Sequence, residues 1–206
     1  MQVNDILLAI RSRLNDTEPK KYRWSDEELI DMINSSLANL SRELLLFSHQ
    51  EVYTIKENEN RYKLPHNCMR VISVNIDKEP VTIKSFDWMS QNKNTIDDDN
   101  YYVCMDEQSF FLYPQELLKA GMKVEVNYNF VEQVLLKTDN IPISLMAKNA
   151  LLFYSMHLAY QIYTSDKNTG KSTHYLNLYD KEILSLRELY YKNRHSKGLR
   201  SPFVRI

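Results

Sequence analysis

Residues 23–34 read RWSDEELIDMIN, and the way this stretch starts a helix sets the frame for the rest of the chain. Ser25 is placed to accept a backbone N–H, and Glu28, three residues on, can reach back to the Ser25 N–H, the reciprocal pattern of a capping box. Asp26 and Glu27 favour the positive end of the helix dipole. Trp24 and Leu29 hold the two positions of a hydrophobic staple, which fixes the angle at which the chain enters the helix. Apolar residues then recur at Ile30, Ile33, Leu37, Leu40, Leu44 and Phe47, so the helix is predicted to run to about Phe47. No residue in the stretch is an obvious catalyst. Trp24, Ser25, Glu28 and Leu29 read as residues that set assembly geometry.

Working outward, Val3, Ile6, Leu7, Ile10 and Leu14 follow the spacing of an amphipathic helix that ends near a turn at Asn15 to Lys20 containing Pro19. After Ser48 the period changes to alternation. Val52 to Lys56 and Arg61 to Leu64 read as a hairpin, followed by strands at Arg70 to Ile76, Val81 to Lys84, Tyr101 to Met105, Ser109 to Tyr113 and Lys123 to Tyr128. A short helical piece is expected near Ser85 to Ser90. Pro142 marks a return to helix. Leu145 to Tyr163 is apolar nearly all round, with Asn149, His157, Gln161 and Thr164 forming a narrow polar stripe, so it is buried on most sides. One of those sides suits a neighbouring subunit, with Phe153, Tyr154, His157, Tyr160 and Gln161 as the interface candidates. Asp166 to Gly170 reads as a turn before a last helix with Tyr175, Tyr179, Ile183, Leu186 and Tyr190 on one face.

The expected fold is α+β and mainly α: a helical bundle built from both ends of the chain, with a small inserted antiparallel β lobe and an extended C-terminal tail. Its parts are N-terminal helices at 1–48, the β lobe at 49–135, a C-terminal helix pair at 136–193 and the tail at 194–206. Formal charge is −1 overall, but Lys192 to Ile206 carries five basic residues and no acids, leaving −6 for the rest. Cys68 and Cys104 lack metal-ligand or framework spacing and read as buried free thiols. No run reaches the roughly 18 apolar residues a spanning helix needs, and the N-terminus lacks the features of a secretory signal. A protein of the cell interior is expected, with no membrane partner.

Chemistry finds little support. Three glycines and no phosphate loop argue against nucleotide binding. Asp97, Asp98, Asp99 and Asn100 lack a cation-binding spacing and read as a solvated loop. The five histidines show no metal or acid/base pairing. No cofactor, metal site or catalytic residue is expected, and the protein reads as no enzyme. Tyr101, Tyr102, Phe110, Phe111 and Tyr113 suit packing or protein contact better than base stacking, because the lobe is acidic. In the tail, Arg200, Pro202, Phe203, Val204, Arg205 and Ile206 alternate apolar and basic character, as in a peptide that docks on a partner.

Two segments carry a resemblance. RLNDTEPKKYRWSDEELIDMIN (Arg13 to Asn34) resembles the N-terminal signature of the phage head-to-tail adaptor family, and IPISLMAKNALLFYSMHLAYQIY with Gly170 and Tyr175 is similar to that family's later helix pair. RYKLPHNCMRVISV, YYVCMDEQSFFLYP and KVEVNY occur in the expected order between them. The resemblance covers the chain to about Tyr190; the loop Gln91 to Asn100 looks long and acidic for it, and the tail matches no family pattern. It implies a structural virion protein of the neck or connector, present in the host cytoplasm during assembly. Such adaptors form a ring of about twelve copies under the portal, extend the channel through which DNA passes without sequence-specific binding, and meet tail or nozzle proteins below. The tail residues named above would then dock on the portal protein. A neighbouring neck or tail-completion ring that does not touch the portal stays open, as does a nucleic-acid-binding module using the basic tail.

Overall fold

The structure, a computed structural model, describes residues 1–91, 100–162 and 166–194. The chain divides into two compact units, one formed by Met1–Leu46 with Glu132–Ile206 and the other by Phe47–Val131.

The first unit is helical. α1 (Val3–Leu14) buries Val3, Ile6, Leu7, Ile10 and Leu14 and ends on Asn15 in the left-handed conformation, φ 56°. A 3-10 turn at Pro19–Lys21 leads to α2 (Asp26–Leu44). That helix stops three residues short of Phe47 because Leu45 also turns left-handed, φ 49°, its N–H closing on the Ser41 carbonyl. α4 (Lys148–Gln161) follows a 3-10 turn at Leu145–Ala147, and α5 (Asp166–Arg194) is the longest helix described. Residues 166–170 are helical, not the turn that Asn168 and Gly170 suggest. An acid at the start favours the helix dipole, and packing of α5 along α4 outweighs the low helix propensity of those residues.

α4 is enclosed by α5, α2 and α1 of its own chain, which accounts for an apolar circumference. The segment before it is laced to the first two helices. Asn34 donates to the Val134 carbonyl at 2.8 Å and accepts from the Val134 N–H at 2.9 Å. The Val3 N–H donates to the Asp139 carbonyl at 2.9 Å. Two backbone N–H groups, of Leu136 and Leu135, hold the Asp139 carboxyl below the usual carboxylate range.

The second unit overturns the expected fold class. Seven strands, β1 (Ser48–Thr54), β2 (Arg61–Lys63), β3 (Cys68–Ile76), β4 (Glu79–Ser85), β5 (Tyr102–Asp106), β6 (Ser109–Tyr113) and β7 (Lys123–Phe130), form one mixed sheet in the order β1-β7-β3-β4-β5-β6-β2. It curls into a nearly closed barrel, and with 26% strand against 47% helix the molecule is not a helical bundle with a small antiparallel lobe. The two terminal strands meet: the Tyr53 hydroxyl donates to the Lys63 carbonyl at 3.1 Å, and the Tyr53 and Tyr62 rings lie 6.0 Å apart. The sheet is mixed because β4 and β5 run parallel. Parallel neighbours need a long crossover, and residues 86–101, which include the helix α3 (Phe86–Gln91), supply it. A barrel of this size fills with side chains. Ile55, Tyr62, Val74, Val103, Phe110, Leu112, Val124 and Val126 do so here.

Candidate assembly surfaces

The start of α2 forms the full capping box. The Glu28 N–H donates to Ser25 Oγ at 3.1 Å and the Ser25 N–H donates to Glu28 Oε2 at 2.7 Å. Trp24 and Leu29 are both buried in the helical core, Leu29 completely. The residue that ties this start to α1 is one the sequence reading passed over. Arg11 is 3% exposed, and its guanidinium donates to Asp16 Oδ2 at 2.6 Å, to the Trp24 carbonyl at 3.0 Å and to Asp26 Oδ1 at 2.7 Å. Asp16, equally buried, also accepts the Arg23 N–H at 2.9 Å. The guanidinium carbon lies 3.6 Å from the centre of the Tyr22 ring. Lys137 and Arg11 together hold the Asp26 carboxyl below the usual carboxylate range. One buried cation therefore clasps the end of α1, the turn and the first residues of α2. The signal was present: Arg11 sits four after Leu7 and three before Leu14, on the apolar face of α1, where an unpaired charge is not tolerated.

The interface candidates on α4 fall into different environments. His157 is buried between α4 and α5. Its Nδ1 is 2.9 Å from Ser172 Oγ and 3.0 Å from the Ser172 carbonyl, and its Nε2 is 3.1 Å from Gln161 Nε2, so both ring nitrogens are engaged within the chain. Phe153, Tyr154 and Tyr160 are half-buried against α5, with Tyr154 4.8 Å from Tyr179 and Tyr160 stacked on Tyr175 at 5.8 Å with an 8° angle between planes. Gln161 is exposed. Burial pushes the phenols of Tyr160 and Tyr175 up, opposed by the nearby guanidiniums of Arg23 and Arg13 respectively. Between α2 and α4 an open groove of about 430 Å³ is lined by Glu28, Asp31, Met32, Ser35, Leu158, Gln161 and Ile162.

The remaining expectations divide by where they fall. Arg200, Pro202, Phe203, Val204, Arg205 and Ile206 lie outside the described residues, as do Asp97, Asp98 and Asp99. Cys104 is buried and Cys68 half-buried; both are free thiols, and burial pushes each up, away from reactive thiolate. Among the described residues no group of three or more His, Cys, Asp or Glu side chains is arranged to hold a metal ion. No described helix is long and apolar enough to cross a membrane.

A barrel packed solid with side chains and a helical unit fastened by internal clasps, with grooves and aromatic faces outside, define a protein of structure and contact. The chain belongs to the SU10 adaptor protein family, whose family model matches residues 1–202. That makes it a phage structural adaptor, a virion component of a family that is structural and not normally enzymatic and that interacts with other phage head and tail proteins. No curated protein matches the sequence.

Proposed function

We propose that this protein is a head-to-tail connector subunit that assembles as a ring beneath the portal and extends the DNA channel toward the tail. The observation that carries the reading is the family match, which runs through both units and into the C-terminal segment. The charge distribution supports it. Residues outside the last fifteen sum to −6, which suits a passage that DNA must traverse without sticking, and the five cations of residues 192–206 suit an arm with a separate target. Arg200, Pro202, Phe203, Val204, Arg205 and Ile206 form that arm, and its target is the portal. Phe153, Tyr154, Tyr160 and Gln161 supply contact area around the ring, while His157 holds α4 to α5 behind them.

Deleting the residues after Asn193 tests the arm. The truncated chain is expected to fold, with unchanged helix and strand content, and to fail to join portal rings in a pull-down with purified portal. Normal joining would overturn the arm's role. Binding to tail proteins alone would move the chain to a later neck ring.

A further inference from the structure

The helical unit carries two faces of opposite chemistry, and among the described residues their charges form no ion pair. The first is the α2–α4 groove. Glu28 and Asp31 stand exposed on its α2 side, Met32 and Leu158 give it an apolar floor, and Ile162, 53% exposed, closes one end. The second face is the stacked pair Tyr160 and Tyr175. Lys171 Nζ lies 5.0 Å from the centre of the Tyr160 ring and His174 lies edge-on to Tyr175 at 5.5 Å. Arg13, in the last turn of α1, and Arg23, just before α2, are both exposed, and their guanidiniums oppose the upward push that burial gives the Tyr175 and Tyr160 phenols respectively. Among the described residues none of Glu28, Asp31, Arg13, Arg23 and Lys171 has an ion-pair partner, although seven ion pairs form elsewhere. On α4 the groove residue Leu158 and the face residue Tyr160 are two positions apart, about 200° around the helix axis. On α4 the two faces thus point away from one another.

Resting on the ring reading above, we propose that the α2–α4 groove of one copy receives the Tyr160–Tyr175 face of the next, with Lys171 meeting Glu28 and Asp31. The occupant is a second copy because the complementary cation, Lys171, and the aromatic rings lie on the same helical unit. Two different patches meeting head to tail repeat around an axis, which is the interface type that generates rings. Stacked aromatic area with charged groups around it suits a protein interface.

The test is charge exchange in the full-length chain, read by sedimentation at low and high salt. Wild type is expected to self-associate, more weakly in high salt. Asp31→Lys alone and Lys171→Glu alone are each expected to weaken association by about tenfold or more, and mixing the two variants, or combining both changes, to restore it. Both positions are exposed, and circular dichroism confirms that the variants fold. A monomeric wild type, single variants that associate normally, or no rescue in the mixture would each overturn the pairing. Loss of self-association on deleting the residues after Asn193 would also overturn it, since the groove would then hold the basic C-terminal segment. In particles the two levels separate: normal incorporation of both single variants overturns the pairing and leaves the connector reading standing, whereas absence of the wild-type chain from particles overturns the connector reading.

Discussion

Replacing Arg11 by Met tests whether one buried cation governs the junction of α1 and α2. The guanidinium loses three hydrogen bonds, to Asp16, the Trp24 carbonyl and Asp26. The consequence falls unequally on the partners. The Asp26 side chain is 25% exposed and keeps Lys137, so water and an ammonium replace what it loses. The Asp16 side chain is 2% exposed and would retain only the Arg23 N–H. Removing one partner of a buried pair costs about 3–5 kcal/mol, because the other charge is stranded. Against a total stability of roughly 5–15 kcal/mol, that is a large share. The stacking of Arg11 on Tyr22 adds about 0.5–1 kcal/mol, because Tyr22 is partly exposed. With a urea m value of about 2 kcal/mol/M, the midpoint should fall by about 2 M. Two units need not unfold together, so the probe must be local. Trp24 fluorescence in a Trp88→Phe background reports on the helical unit alone. Adding Asp16→Asn, which removes the stranded charge and keeps an acceptor for Arg23, should recover at least about 1 kcal/mol. A loss under about 1 kcal/mol for Arg11→Met, or no recovery in the double variant, would refute the clasp.

Three further outcomes follow from the same contacts. Ser25→Ala should cost the helical unit about 1 kcal/mol by urea unfolding, and Trp24→Ala about 3–5 kcal/mol; if the junction angle matters for ring closure, both should also reduce ring yield under conditions where each variant is still folded. Lys78→Gly should stabilise the barrel by about 1 kcal/mol in thermal unfolding, because Asp77 and Lys78 both have positive φ (47° and 76°) in the two-residue turn between β3 and β4. Asp26 has a lowered folded pKa, so its contribution is fully present above its unfolded value of about 3.9 and is lost as pH falls through the folded value; unfolding of the helical unit between pH 7 and pH 2 should therefore be less acid-sensitive in Asp26→Asn.

What was legible in the sequence was local. The capping box needs only Ser25 and Glu28 in register, and the faces of α1 and α2 follow from apolar spacing alone. Most strands were also visible one by one, because alternation is a property of five or six residues, but Val52 to Lys56 and Arg61 to Leu64 do not form the expected hairpin: β1 pairs with β7 and β2 with β6. Closure of the sheet was not visible, since it depends on Tyr53 reaching Lys63 between strands at opposite ends of the sheet order. The parallel pairing of β4 and β5 was hidden in a connection read as a short helical piece and an acidic loop, although a span from 86 to 101 is too long for a hairpin. At the candidate surfaces, aromatic residues on α4 were visible as a composition. The division into a residue locked inside the chain, His157, and residues facing outward, Tyr160 and Gln161, required knowing where α5 lies. Arg11 could have been flagged, since a charged residue on an apolar face demands a partner. Which acids answer it is a tertiary matter, with Asp26 fifteen positions away.

The most direct measurement is cross-linking mass spectrometry on assembled phage particles containing this chain. A connector subunit should yield links from residues 195–206 to the portal protein, links between copies of the helical unit, and links from other surfaces to tail proteins. Particles that contain the chain without any portal link would contradict placement beneath the portal, and particles that lack it altogether would contradict the connector role itself.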